Sequence, residues 1–135
     1  MTAPTKQISM EEAINKYFGA IEDPDGSSDI TGPCGDKMMF FFKLKDGRID
    51  EIRFKATGCG VTLACGAAVA FTADKLLLSE AMFISPGYIT KTIGPVPEDH
   101  KHCPILAATA FYRAIADYFL KTEMKQEDDT NARNK

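Results

Sequence analysis

Apolar residues recur at helical spacing near the start of the chain, where Ala13, Ile14, Tyr17, Phe18 and Ile21 follow a capping box made by Ser9 and Glu12. This pattern predicts a first helix from Met10 to about Gly19. The period then changes to two. Met38, Phe40, Phe42 and Leu44 fall on one face of a strand over Lys37–Lys45, and Ile52, Phe54 and Ala56 on one face of another over Arg48–Thr57. Asp46-Gly47 joins them as a hairpin. A two-residue turn sets Phe42 opposite Glu51 and Phe40 opposite Arg53, so the pattern predicts a three-residue loop that uses Gly47 and lets the apolar faces coincide. Ahead of the hairpin, Asp23-Pro24-Asp25-Gly26-Ser27-Ser28 is turn chemistry, and Ile30 to Pro33 supplies only a short extended piece.

From Val61 to Leu78 the chain is apolar on nearly every side, with Ala64, Gly66, Ala67, Ala68 and Ala70 small enough for neighbouring elements to approach closely. This predicts a central buried helix. Ser85-Pro86 opens a short helix that Gly94-Pro95 stops, and Val96 to His100 reads as a loop. Pro104 opens a last helix whose stripe is Leu106/Ala107, Ala110/Phe111, Ala114/Ile115 and Tyr118/Phe119, with Arg113, Asp117 and Lys121 outward. Residues 122–135 carry too little apolar surface to order a chain and are predicted to form a disordered polar tail behind a single domain over 1–121. Helices and strands are segregated, so the fold class is α+β, with helices packed on one face of a small antiparallel sheet.

With 135 residues, 44% hydrophobic and 26% charged, the chain accommodates one core-bearing domain. A formal net charge of -3 gives no phosphate-binding surface, so nucleic acid is not an expected partner. No apolar run is long enough to span a bilayer, and Met1 to Gln7 lacks the pattern of a secretory signal. The expectation is a cytoplasmic protein with no membrane partner. Thiols stay reduced there, so the four cysteines are buried thiols, ligands or nucleophiles rather than staples.

Cys34 sits in Gly32-Pro33-Cys34-Gly35-Asp36, Cys59 in Gly58-Cys59-Gly60, and Cys103 between His102 and Pro104. Each lies where an element is predicted to end. Flanking glycines let backbone amides approach a sulfur or an ion. Cys59 and Cys103 also face predicted helix starts, where the dipole favours the thiolate that binds metal or attacks an electrophile. Asp36 and His102 add an oxygen and a nitrogen, making a candidate site of three sulfurs plus O or N. No CxxC knuckle is present, so this is not a zinc-ribbon pattern. Cys65 falls inside the central helix and reads as a packing residue, and His100 reads as a solvated loop residue.

Pro33-Cys34-Gly35-Asp36, Phe54-Lys55-Ala56-Thr57-Gly58-Cys59-Gly60, and Lys101-His102-Cys103 leading into Leu106-Ala107 and Ala114-Ile115-Ala116-Asp117-Tyr118 resemble the iron-sulfur cluster assembly scaffolds of the IscU type, equivalent to the N-terminal domain of NifU. The resemblance runs from about Ser9 to about Tyr118. It implies a three-stranded antiparallel sheet with helices on one side, and a transient [2Fe-2S] cluster on Cys34, Cys59 and Cys103, with Asp36 and His102 at further ligand positions. It implies no enzymatic turnover. Sulfur arrives from a cysteine desulfurase, acceptor apo-proteins take the finished cluster, and a homodimer formed on cluster binding is left open. The same donor set suits Zn²⁺. Two departures stand out: Ala64-Cys65-Gly66-Ala67 replaces a serine-rich helix start, and Val96-Pro97-Glu98-Asp99-His100 replaces a Leu-Pro-Pro-Val chaperone motif. The second puts hand-over by an Hsp70-type chaperone in doubt.

Two other readings compete. Cys103 could act as the nucleophile of a sulfur transferase with His102 or His100 as base, although adjacent side chains rarely point at one another. A structural zinc adaptor is the second, and it should unfold when stripped of metal, whereas a scaffold must fold empty.

Overall fold

In the computed structural model, which describes residues 9–33 and 35–133, the Ser9 hydroxyl accepts from the Glu12 amide and the Glu12 carboxylate from the Ser9 amide, at 3.1 and 3.0 Å. This reciprocal cap opens α1 (Met10–Tyr17) where the sequence predicts it. Two short strands follow, β1 (Gly26–Ser27) and β2 (Ile30–Thr31), and then the long hairpin β3 (Lys37–Lys45) and β4 (Arg48–Thr57). All pairing among these strands is antiparallel, and β3 is the central strand. β1 pairs with Phe41 and Phe42 and β2 with Lys37 and Met38, so the two short strands share one side of β3 while β4 takes the other. The sheet is three ranks wide, its outer rank interrupted at Ser28-Asp29.

The hairpin corrects one expectation. Its turn is the two-residue Asp46-Gly47, with positive φ of 54° and 78°, and Lys45 pairs with Arg48. Between Lys43 and Leu44 the register shifts, Leu44 pairing with Ile49 but Lys43 with Glu51. Asp50 is therefore the extra residue of a β-bulge. Beyond it Phe42 faces Ile52 and Phe40 faces Phe54. The apolar faces coincide as the pattern demands, but through a bulge rather than a longer loop. The bulge also turns Ile49, fully buried, inward in place of Asp50. The Asp50 carbonyl accepts from Lys75 Nζ, whose ammonium also lies 3.6 Å from the Asp50 carboxylate.

α2 (Gly60–Ala73) follows β4, and α3 (Leu78–Ala81) and α4 (Pro86–Ile93) lead to a single 3₁₀ turn, Glu98–His100, before α5 (His102–Arg133). α2 ends earlier than its apolar composition suggests. Lys75, at φ 72°, instead turns the chain so that its amide bonds to Ile49 O and Leu76 O accepts from the Ile49 amide, which covers the open edge of β4. α4 begins as predicted, the Ser85 hydroxyl accepting from the Tyr88 amide with proline at the first turn.

α2 and α5 pack on the face of the sheet that carries Met38, Phe40, Phe42, Ile52 and Phe54, all buried, whereas Met39, Phe41 and Arg53 on the other face stay partly exposed. Each fully buried phenylalanine stabilises the fold by roughly 1.5–3 kcal/mol relative to exposure. Gly66 makes the α2 packing feasible, since a Cβ there would stand 2.5 Å from the Phe54 ring.

α5 differs from its prediction at both ends. It starts at His102, with Pro104 third in its first turn, where a missing N–H leaves no bond unmade. It continues to Arg133, through most of the segment that composition assigns to a disordered tail. Glu123, Met124, Lys125, Gln126 and Glu127 are strong helix formers, so propensity carries the helix past the point where its buried stripe stops. Asp117 does not point outward as predicted, because its carboxylate accepts from the Ser27 amide at 3.0 Å and so ties α5 to β1.

Candidate metal centre

Asp36 immediately precedes β3 and Cys59 shortly follows β4, and because Lys37 pairs with Thr57 the two meet at one end of the hairpin. The first segment is a closed turn, with the Gly32 amide donating to Asp36 O at 2.7 Å and the Gly35 amide to Gly32 O at 3.0 Å. Cys34 lies outside the described residues. Gly58 fits the crossing of the two segments for a steric reason. Its φ is +147°, and a Cβ would stand 2.9 Å from both Asp36 Cγ and Thr62 Oγ1.

Cys59 is the N-cap residue of α2. The Thr62 amide at the sulfur, aided by the Thr62 hydroxyl and the Val61 amide, holds the Cys59 thiol below its ordinary value against desolvation and the Asp36 charge. This agrees with the helix-start expectation. Cys103 does not follow it. Its place is inside the first turn of α5, fully buried, rather than in a loop. Desolvation pushes its thiol up, with the Cys59 and Asp36 charges adding to the rise and the nearby Thr62 hydroxyl opposing it. Cys65 is fully buried in α2, and burial raises its thiol to about 12.

Thr62, the one fully buried polar residue among those described, joins these groups. Its hydroxyl donates to Asp36 Oδ2 at 3.0 Å and lies 3.5 Å from Cys103 Sγ and 3.7 Å from Cys59 Sγ. Cys103 Sγ is 3.9 Å from His102 Nε2, which in turn is 4.0 Å from Asp36 Oδ2. His100 also belongs here, against the expectation of a solvated loop residue. Its Nδ1 stands 3.3 Å from Cys59 Sγ and its side chain is only 31% exposed. Sequence reasoning missed Thr62 altogether. The only signal was a hydroxyl three residues past Cys59 in a helix whose one other polar side chain is Thr72.

Among the described residues, two groups of three could hold an ion, Cys59 with His100 and Cys103, and Asp36 with His102 and Cys103, the ligand atoms of each within 4.8 Å of one another. Thiolate, imidazole and carboxylate at such separations fit Zn²⁺ and iron, and no helix among the described residues is long and apolar enough to cross a membrane.

This small α+β domain gathers thiols, imidazoles and a carboxylate at one end of its hairpin. The chain belongs to the family of NifU-like N-terminal domains, which matches it over residues 6–125. It is 38% identical over 107 residues to an iron-sulfur cluster assembly scaffold protein, IscU 1, of Archaeoglobus fulgidus, covering 78% of this chain and 70% of the relative. The IscU scaffold protein of Escherichia coli is 38% identical over 125 residues, covering 85% of this chain and 97% of that protein. The fold is shared with a NifU-like N-terminal protein from Brucella abortus, at a TM-score of 0.61 and 17% identity over 84% of this chain and 99% of that one. A scaffold protein from Fervidobacterium islandicum, described as putative for the SUF system, has a TM-score of 0.62 at 15% identity, covering 78% and 92%.

Proposed function

We propose that this chain is a scaffold on which an iron-sulfur cluster is assembled and from which it passes to apo-proteins, a carrier rather than an enzyme. The observation that carries this reading is the convergence of Asp36, Cys59, His102 and Cys103 beside the Thr62 hydroxyl, at one end of a domain that has its own hydrophobic core. A structural zinc domain organises its chain around the ion, whereas here the aromatic core of β3, β4 and α5 is complete.

The cargo is of [2Fe-2S] type, held by Cys34, Cys59 and Cys103 with Asp36 or His102 as the weaker fourth ligand. A centre built to stay wants four thiolates and burial, and one built to leave gains from an exchangeable oxygen or nitrogen donor. Sulfur comes from a cysteine desulfurase and acceptor apo-proteins take the product, in the cytoplasm, where free thiols persist. Zn²⁺ occupies the same donors when iron is scarce.

Anaerobic reconstitution of the full chain with iron, sulfide and a desulfurase, followed by visible absorption and by iron and sulfide analysis, tests the reading. Cys34→Ala, Cys59→Ala and Cys103→Ala should each abolish a stable cluster and leave the far-ultraviolet circular dichroism of the apo-protein unchanged. A normal complement of iron and sulfide in two of the three variants would overturn the ligand assignment. Unfolding of the wild-type apo-protein on removal of metal would favour the structural zinc domain instead.

A further inference from the structure

We propose that His100 is a metal ligand, its Nδ1 completing with the Cys59 and Cys103 thiolates a second three-donor face for a borderline divalent ion such as Zn²⁺ or Fe²⁺. This rests on the scaffold reading and adds a residue that neither the cysteine pattern nor the Asp36 and His102 positions include.

Bond lengths of about 2.3 Å to sulfur and about 2.05 Å to nitrogen at a tetrahedral ion put neighbouring S and N donors about 3.6 Å apart. Cys59 Sγ and His100 Nδ1 stand 3.3 Å apart without any ion, and Cys103 Sγ completes a triangle in which no edge exceeds 4.8 Å. The imidazole is oriented for the task. Its Nδ1 faces the Cys59 thiol and its Nε2 lies 3.9 Å from the Asp99 carboxylate. The 3₁₀ turn holding the ring is braced by the His100 amide bonding to Pro97 O at 2.9 Å and by a 2.7 Å ion pair between Lys101 and Glu98.

The two faces share Cys103 and differ in softness. Cys59, His100 and Cys103 offer two sulfurs and a nitrogen, whereas Asp36, His102 and Cys103 offer one sulfur, a nitrogen and an oxygen. The first retains a thiophilic ion more firmly, and the second exchanges it more readily. Binding at the first face releases the two thiol protons to solvent.

Co²⁺ titration of the reduced full chain, followed through its thiolate-to-metal and ligand-field absorption, tests the proposal, with ¹H–¹⁵N imidazole spectra recorded before and after Zn²⁺ as the second arm. His100→Ala should weaken Co²⁺ binding at least tenfold. In the wild-type chain, Zn²⁺ should move the His100 Nδ1 resonance and fix the Nε2–H tautomer, a change that a merely packed histidine would not show. If Cys59→Ser and Cys103→Ser lose the ion while His100→Ala keeps wild-type affinity and the His100 nitrogens do not respond to Zn²⁺, this assignment falls and the scaffold reading stands. Failure of the wild-type chain to take up Co²⁺ overturns both.

Discussion

The Thr62 hydroxyl donates its only proton to Asp36 Oδ2 at 3.0 Å. The Cys59 and Cys103 sulfurs lie 3.7 and 3.5 Å from the same oxygen, so Thr62 links the carboxylate to both thiols. Thr62→Val, which keeps the shape and removes the hydroxyl, should destabilise the apo-protein by about 1–2 kcal/mol. Thr62→Ser should recover at least half of the loss. Urea midpoints at constant m-value measure both, and a valine variant as stable as the wild type would remove the hydroxyl from the apo site's support.

Asp36→Ala should lengthen the life of a loaded cluster and slow its transfer to an apo-ferredoxin severalfold. The carboxylate is the hard donor among soft ones, the bond an incoming thiolate displaces most easily. Stopped-flow transfer kinetics decide the matter. Equal or faster transfer would exclude Asp36 from release, and failure to assemble at all would make it an indispensable ligand.

Cys65→Ser should leave iron and sulfide content unchanged and cost about 1–3 kcal/mol, because the new hydroxyl enters a fully buried position in α2. Denaturant unfolding gives the cost. Loss of the cluster would place Cys65 among its ligands.

Tyr17 gives a pH prediction away from the site. Its ring is buried and its hydroxyl donates to Asp74 Oδ2 at 2.8 Å, and desolvation followed by the Asp74 hydrogen bond and charge raises the phenol well above its ordinary range. A group whose folded value is raised contributes stability fully present below its unfolded value, about 10, and lost as pH climbs from there through the folded value. At neutral pH, Tyr17→Phe should cost about 1 kcal/mol. That difference should shrink above pH 10 and then reverse, as stability curves from pH 7 to 11.5 would show. A constant gap would mean that the phenol is not buried against Asp74.

Features written in local side-chain chemistry are legible in the sequence: the Ser9–Glu12 box, the Ser85-Pro86 start, and the alternation that buries Phe40, Phe42 and Phe54. The hairpin was half legible, since the faces had to coincide but a longer loop and a bulge at Asp50 achieve the same pairing. Composition could not reveal that α5 runs past its buried stripe, because a helix of strong formers and a disordered polar segment draw on similar residues. Cys59, Cys103, Asp36 and His102 stood out through their glycine, proline and neighbour context. His100 and Thr62 did not. His100 comes to Cys59, and Thr62 to Cys103, only because the start of α5 docks beside the start of α2, a relation between residues about forty positions apart that no local pattern encodes.

The placement of one cysteine at a helix cap and another a residue inside a helix sets an order of attack. Cys59 is half-buried with a lowered thiol, whereas Cys103 and Cys65 are fully buried with raised ones. Among the described thiols a soluble electrophile, oxidant or alkylating label therefore meets Cys59 first. A limiting dose of iodoacetamide should mark it while sparing the other two. Mass spectrometry of such partly labelled protein would read out occupancy of the site without any chromophore, because a bound ion closes the most reactive door and leaves the buried thiols as silent as before.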